Sequence, residues 1–219
     1  MSLLQNNNQK MAGAYVFNLP PKVTCPGAVF GETSVCRKCY GCKGNYSYPS
    51  AKKHFLTQME AVMADDFVDR IVGEIIRRMK RVDLMRLRLH PVGDFFSATY
   101  AAQWCQVLNA INTMTKKGGA LAGHKLQVWA PTKSYTVPEI LDWLIHLNGI
   151  RGPGVSVVVR PSAKYIGDPA PKILGLSGGA AVSMTKNTCP AIEQHSSCVE
   201  AGCEVCWENR RVVVTYRLH

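Results

Sequence analysis

Leu84–Ser97, LMRLRLHPVGDFFS, reads as a strand, a turn and a helix start in direct succession. Met85, Leu87 and Leu89 alternate with Arg86 and Arg88, the period of two that gives a strand one apolar and one polar face. Pro91, Gly93 and Asp94 then break the pattern. Ser97 is placed to cap a helix whose apolar stripe is Ala101, Trp104, Cys105, Leu108 and Ile111. Cys105 lies on that stripe and reads as a core thiol.

The same alternation of elements continues on both sides. Upstream, residues 1–10 read as flexible and AYVFN (14–18) as a short strand stopped by Pro20 and Pro21. Residues 50–81 follow a helical period through Met59, Val62, Met63, Phe67, Ile71, Ile75 and Met79, with a break expected near Asp65 and Asp66. Downstream, KLQVWA (125–130) reads as a strand. Thr136 and Pro138 open a helix that Gly149 closes. VSVVVR (155–160) is the near-continuous apolar run of a buried parallel strand. Ala181–Met184 and RVVVTY (211–216) complete about six strands. The Gly-rich turn at 175–179 lacks the rest of a phosphate-binding loop and reads as a turn. The expected fold is α/β: a single domain over 1–219, either a partial (β/α)6-like barrel or a parallel sheet, with cysteine-rich loops near both ends.

Eight of the nine cysteines fall in those two loops. The first, residues 24–44, holds Cys25, Cys36, Cys39 and Cys42. The second, residues 187–207, holds Cys189, Cys198, Cys203 and Cys206. Both open on Thr-Cys-Pro. Cys36, Cys39 and Cys42 are spaced C-x2-C-x2-C, the run with which bacterial ferredoxins begin a cluster ligand set, and Cys25 is itself a Cys-Pro. The expected cofactor is one or two 4Fe-4S clusters. Zinc is the alternative at the C-terminal loop, where Cys203 and Cys206 form a C-x2-C pair and His195 is a substitute ligand. His90 and His219 are further histidines within reach of a site, with structural roles as the plainer reading. Tyr40 reads either as a neighbour of the metal or as a surface aromatic.

No apolar run approaches the roughly 20 residues a membrane span needs. The polar start of the chain has no signal-peptide core, so the expected location is the cytoplasm. Nine cysteines in a reducing compartment point to metal or redox chemistry rather than disulfides. The net charge of +11 favours an anionic partner, nucleic acid included. The cations singled out for it are Arg77, Arg78, Lys80, Arg81, Arg86 and Arg88. The competing readings are a helix C-terminus complemented by its cations, and Arg86 and Arg88 facing a barrel interior.

Three segments together, TCPGA…C…CYGCKG, RLHPVGDFFSATYAAQW and C…C…CW before VVVTYRLH, resemble a family of phage-encoded proteins known as gene product eighty-eight. The order of elements is in turn similar to radical S-adenosylmethionine (SAM) enzymes. That resemblance implies a six-stranded partial barrel and a 4Fe-4S cluster with one iron open to SAM. Gly93 and Asp94 stand where those enzymes carry a Gly-rich acidic turn for the SAM amino group. Arg160 and Ser162, past a strand end, are then expected at the ribose or carboxylate. For a phage protein the location becomes the host cytoplasm. The chain departs from the enzymes in its C-x2-C-x2-C spacing, in Val-Gly-Asp for Gly-Gly-Glu, and in Cys25, a fourth thiol that closes the cluster. The alternative is a non-catalytic, metal-stabilised protein that binds nucleic acid or a host partner.

Overall fold

The structure is a computed structural model that describes residues 2–7, 13–208 and 211–218. Its main sheet has five strands in chain order: β1 (Gln5–Asn7), β2 (Ala14–Phe17), β3 (Leu84–Leu89), β4 (Lys125–Thr132) and β5 (Val155–Pro161). β1 runs antiparallel to β2, and every other pairing is parallel. Between the parallel strands lie α1 (Pro49–Val62) with α2 (Phe67–Met79), then α3 (Ala98–Met114), then α4 (Pro138–Gly149). Crossovers of one hand between neighbours taken in order put α1 to α4 on the same face of the sheet. The core follows: Met85, Leu87, Leu89, Val128 and Val157 meet Ile71, Ile75, Trp104, Leu108 and Leu144 there, all at most 1% exposed.

The sequence-level elements hold. The expected break in the first helical stretch is the turn at 63–66, Ser97 accepts the Tyr100 amide at 3.1 Å as the cap of α3, and Cys105 is buried in the core. The start of the chain differs from expectation. Residues 1 and 8–10 of the expected flexible segment lie outside the described residues. Residues 5–7, however, form β1, and Leu3 and Leu4 are buried. The cause is long-range: the Glu74 carboxylate accepts the amides of Leu3 (2.7 Å) and Leu4 (3.2 Å), and Gln58 donates to the Leu3 carbonyl.

After β5 the chain forms a second, two-stranded parallel unit, β6 (Ala180–Ser183) and β7 (Val214–Arg217). It attaches to the end of β5 through a parallel bridge between Ser162 and Ala180 and an Ala163 amide donated to the Ala180 carbonyl at 2.7 Å. Among the described residues no helix is long and apolar enough to cross a membrane.

His90, just past β3, gives a test of this packing. It is 2% exposed, its Nε2 lies 2.7 Å from the Tyr100 hydroxyl, and Phe95 packs edge-on at 4.5 Å. Burial pushes its pKa down to about 3, whereas the unfolded imidazole titrates near 6.5. Between those values the unfolded chain holds more protons, so stability is complete above about pH 6.5 and is lost as pH falls. At roughly 1.4 kcal/mol per unit, acidifying from pH 6.5 to 5 should cost about 2 kcal/mol. His90→Phe should flatten that dependence. Urea midpoints measured at matched metal content check it, and a flat wild-type profile over this range contradicts it.

Candidate metal loops and the face they cover

The N-terminal cysteine loop leaves the end of β2 and lies across the C-terminal edge of the parallel strands. Tyr40 Oη donates to the Pro91 carbonyl beyond β3. Gly27 sits against the turn beyond β4 so closely that a Cβ would stand 2.0 Å from the Lys133 oxygen. Beyond β5, the Val35 amide donates to Lys164 (3.0 Å) and the Ile166 amide to Thr33 (2.8 Å). This edge is where α/β sheets place their sites. Within the loop, Cys39 N donates to Cys36 O and Cys42 N to Cys39 O, each at 3.2 Å. Cys36, Cys39 and Cys42 are therefore carried on two consecutive tight turns.

Cys25 joins this set. Burial raises its thiol pKa to about 12, with smaller contributions from nearby Asp94, Cys39 and Cys36. Cys39 is also raised, first by burial and then by Cys42 and Cys36, against a hydrogen bond from the Gly41 backbone. Cys42 is the exposed member of the four.

The C-terminal loop takes the opposite position: it covers the sheet face turned away from α1 to α4, and its own short helical turn Val205–Glu208 packs there on β4 and β5. Trp207 packs edge-on against Trp129 at 5.8 Å, in a cluster with Ala14, Val158, Cys198 and Cys206. Glu204 pairs with Arg86, and Gln127 donates to Glu208 at 2.8 Å. Burial raises the Cys198 thiol to about 11, with Cys206, Cys189 and Cys203 adding to it. Cys206 Sγ lies 3.4 Å from the Tyr216 hydroxyl on β7. His195 is exposed, while His219 lies outside the described residues. All nine cysteines are free of disulfides. Among the described residues, no group of three or more His, Cys, Asp or Glu side chains is drawn together tightly enough to hold a metal ion as placed.

The four residues expected at SAM all serve the fold. The Asp94 carboxylate accepts from the Phe95 amide (2.8 Å), the Thr132 hydroxyl (2.6 Å) and the Lys133 amide (2.7 Å), so both oxygens tie the turn after β3 to the end of β4. Gly93 has φ +85°, and a Cβ there would meet Leu19 at 2.7 Å and Thr24 at 2.8 Å; the close approach is to the chain's own loop. Arg160 is fully buried and donates to the carbonyls of Gly178, Val212 and Val205. Ser162 uses its amide on Thr132 O (2.8 Å) and accepts from Tyr135 Oη (3.1 Å) at its carbonyl. The hollows of about 400 Å³ and 250 Å³ are lined by none of the four. Apart from the adjacent Phe95 amide, these ties join residues 18 to 74 positions apart, and spacing along the sequence gives no signal for them.

The six cations read as one nucleic-acid surface are divided between two faces. Arg77, Arg78, Lys80 and Arg81 end α2 on the helical side, and Arg78 is held by Glu74 (2.7 Å) and stacked over Tyr15 (4.2 Å). Arg86 and Arg88 point to the other side, Arg88 lying 4.4 Å over the Trp129 ring.

Compared with known proteins, residues 1–148 match the model of the family described as gene product 88. No curated protein and no solved structure matches.

Proposed function

The chain belongs to the gene product 88 family, and from that premise we propose that it is a phage-type iron–sulfur protein acting in the host cytoplasm. Cys25, Cys36, Cys39 and Cys42 hold one 4Fe-4S cluster. Cys189, Cys198, Cys203 and Cys206 hold a second centre, iron–sulfur or zinc. The carrying observation is that eight thiols, none in a disulfide, fall in two sets of four whose members feel one another's charge. Four soft donors per loop suit a cubane or a tetrahedral zinc, and binding would draw each set inward and order it.

The role we infer is non-catalytic. Cys25 belonging with the first set supports four protein ligands and no open iron. The engagement of Asp94 and Arg160 within the fold supports the same. One observation favours the second reading, a SAM enzyme. The parallel bridge from β5 to β6 extends the in-order parallel run toward the six strands of a partial barrel, with the first cysteine loop at its C-terminal edge.

Anaerobic purification from iron-replete cells, with iron, zinc and acid-labile sulfide measured per chain, tests the proposal. Brown protein with sulfide is expected; stoichiometric zinc without sulfide refutes it. Reduced, cluster-loaded protein that binds SAM and releases deoxyadenosine would establish the second reading instead. Replacing Cys203 and Cys206 together should remove about half of the metal and lower stability, because Ala191 and Trp207 are the only buried side chains of residues 187–207 and the loop has little apolar core of its own. Cys105→Ser should leave metal content unchanged, since its Sγ faces the Trp143 carbonyl at 3.6 Å in the core.

A further inference from the structure

We propose that the outer surface of the N-terminal cysteine loop and the first turns of α1 bind single-stranded nucleic acid. Residues 18–58 contain six cations, Lys22, Arg37, Lys38, Lys43, Lys52 and Lys53, against one acid, Glu32. All six are exposed. Two of them stand where a helix does not want them. The positive end of a helix dipole favours anions, yet the first turn of α1 holds no acid, its cap residue Tyr48 makes no side-chain cap, and Lys52 and Lys53 follow at once. Positive charge gathered there without a counter-charge is a surface awaiting an anion.

The anion it fits carries aromatic rings. Phe30, Tyr40 and Tyr48 are 52%, 52% and 57% exposed among these cations. Rings of this size are normally buried; Lys22 lies 5.8 Å over the Phe30 ring and Tyr46 packs 5.7 Å from Tyr40, and the exposed parts of the three rings leave room for an unpaired base to stack. Beside them lies the hollow of about 400 Å³, walled by Pro20, Tyr46, Phe55 and Leu56 with Cys42 and Lys52. That volume is within the range of small-ligand clefts, roughly 300–1,000 Å³, and its apolar wall with one lysine suits a planar base attached to a phosphate. An acidic protein would use the cations but would leave the exposed rings unexplained. A duplex hides its base faces and would use only the cations.

The inference rests on the reading above only in that a bound metal holds the loop in shape. Metal content is therefore measured on every sample, which separates failure of the cluster from failure of the surface. Metal-loaded full-length protein is titrated anaerobically into fluorescent oligo-dT, oligo-rU and a duplex of equal length, with anisotropy as the readout. Tight binding to either single strand over the duplex is expected, and the dT-to-rU ratio assigns the strand. The variant Lys52→Glu/Lys53→Glu places acids at the junction of the first two turns of α1, near the positive end of the helix dipole, so its melting temperature should hold or rise. It should nevertheless bind at least tenfold more weakly, with a salt slope shallower by about 1.4, the value for two single-strand phosphates. Tyr48→Ala should weaken binding roughly tenfold at unchanged salt slope. Absence of binding to both single strands at low salt, equal binding to the duplex, displacement by polyglutamate at equal charge, or metal-replete variants that bind like the wild type would each overturn the proposal.

Discussion

Cys39→Ser should empty the N-terminal loop of metal, remove roughly half of the metal bound per chain, and leave the sheet folded. Cys39 is the middle thiol of the C-x2-C-x2-C run, hydrogen-bonded through its backbone to both neighbours, so its loss breaks the set at its centre. The loop has no apolar core to fall back on. Between residues 24 and 44 the buried positions are Thr24, Gly27, Ser34 and Gly41, with Phe30 and Tyr40 exposed. Without metal, the ties to Pro91, Lys164 and Ile166 and the close packing of Gly27 on Lys133 and Gly41 on Val92 are left to hold it over the strand ends. Limited proteolysis should then cut within residues 24–44 while β2 to β5 and their helices survive as one fragment set. Unchanged metal per chain would eliminate Cys39 as a ligand. Metal loss accompanied by collapse of the whole fold would contradict the loop's independence from the core.

How far the sequence could be read follows from what kind of interaction fixes each part. β3 was legible because its two faces meet different surroundings: Met85, Leu87 and Leu89 meet helices, while Arg86 and Arg88 meet Glu204, Trp129 and Tyr40. α3 and α4 were legible because Ser97 and Pro138 mark their starts by local chemistry alone. β1 was not, since QNN has no strand pattern and owes its place to pairing with β2 and to Glu74, some seventy residues on. The cysteine sets were legible as clusters, but their positions were not. That one crosses the strand ends and the other covers the open sheet face depends on Gly27 against Lys133 and Trp207 against Trp129, contacts spanning about eighty to a hundred residues. Asp94 shows the same limit from the other side. Its place in the turn reads as that of a ligand group, whereas its three donors come from residues 95, 132 and 133.

Arg160→Met should lower stability by about 3–5 kcal/mol, the scale for dismantling a buried, charged hydrogen-bond network. For a chain of this size that is a fall in melting temperature of roughly 10 °C. The guanidinium is fully buried at the end of β5 and donates to carbonyls in three separate segments: Gly178 before β6, Val212 before β7, and Val205 in the C-terminal cysteine loop. Methionine fills the volume but donates nothing, so three acceptors lose their donor at once. The two-stranded unit would keep its bridge at Ser162 and Ala180, the amides of Ala163 and Gly167 on the Ala180 and Val182 carbonyls, and its packing around Trp207. The effect should reach the C-terminal thiols as well. Burial raises the Cys206 thiol pKa, and Tyr216, Arg160 and Arg88 act against that rise, so removing the arginine makes the thiolate harder to form and metal harder to hold there. Metal loss is therefore expected from the second loop and not the first. If Arg160 instead served to meet a ligand carboxylate or ribose, the variant would melt near the wild-type temperature, keep both centres, and lose only SAM binding. A melt, a metal count and a SAM titration on the same sample separate the two, and an unshifted melt would remove the bracing role assigned to Arg160.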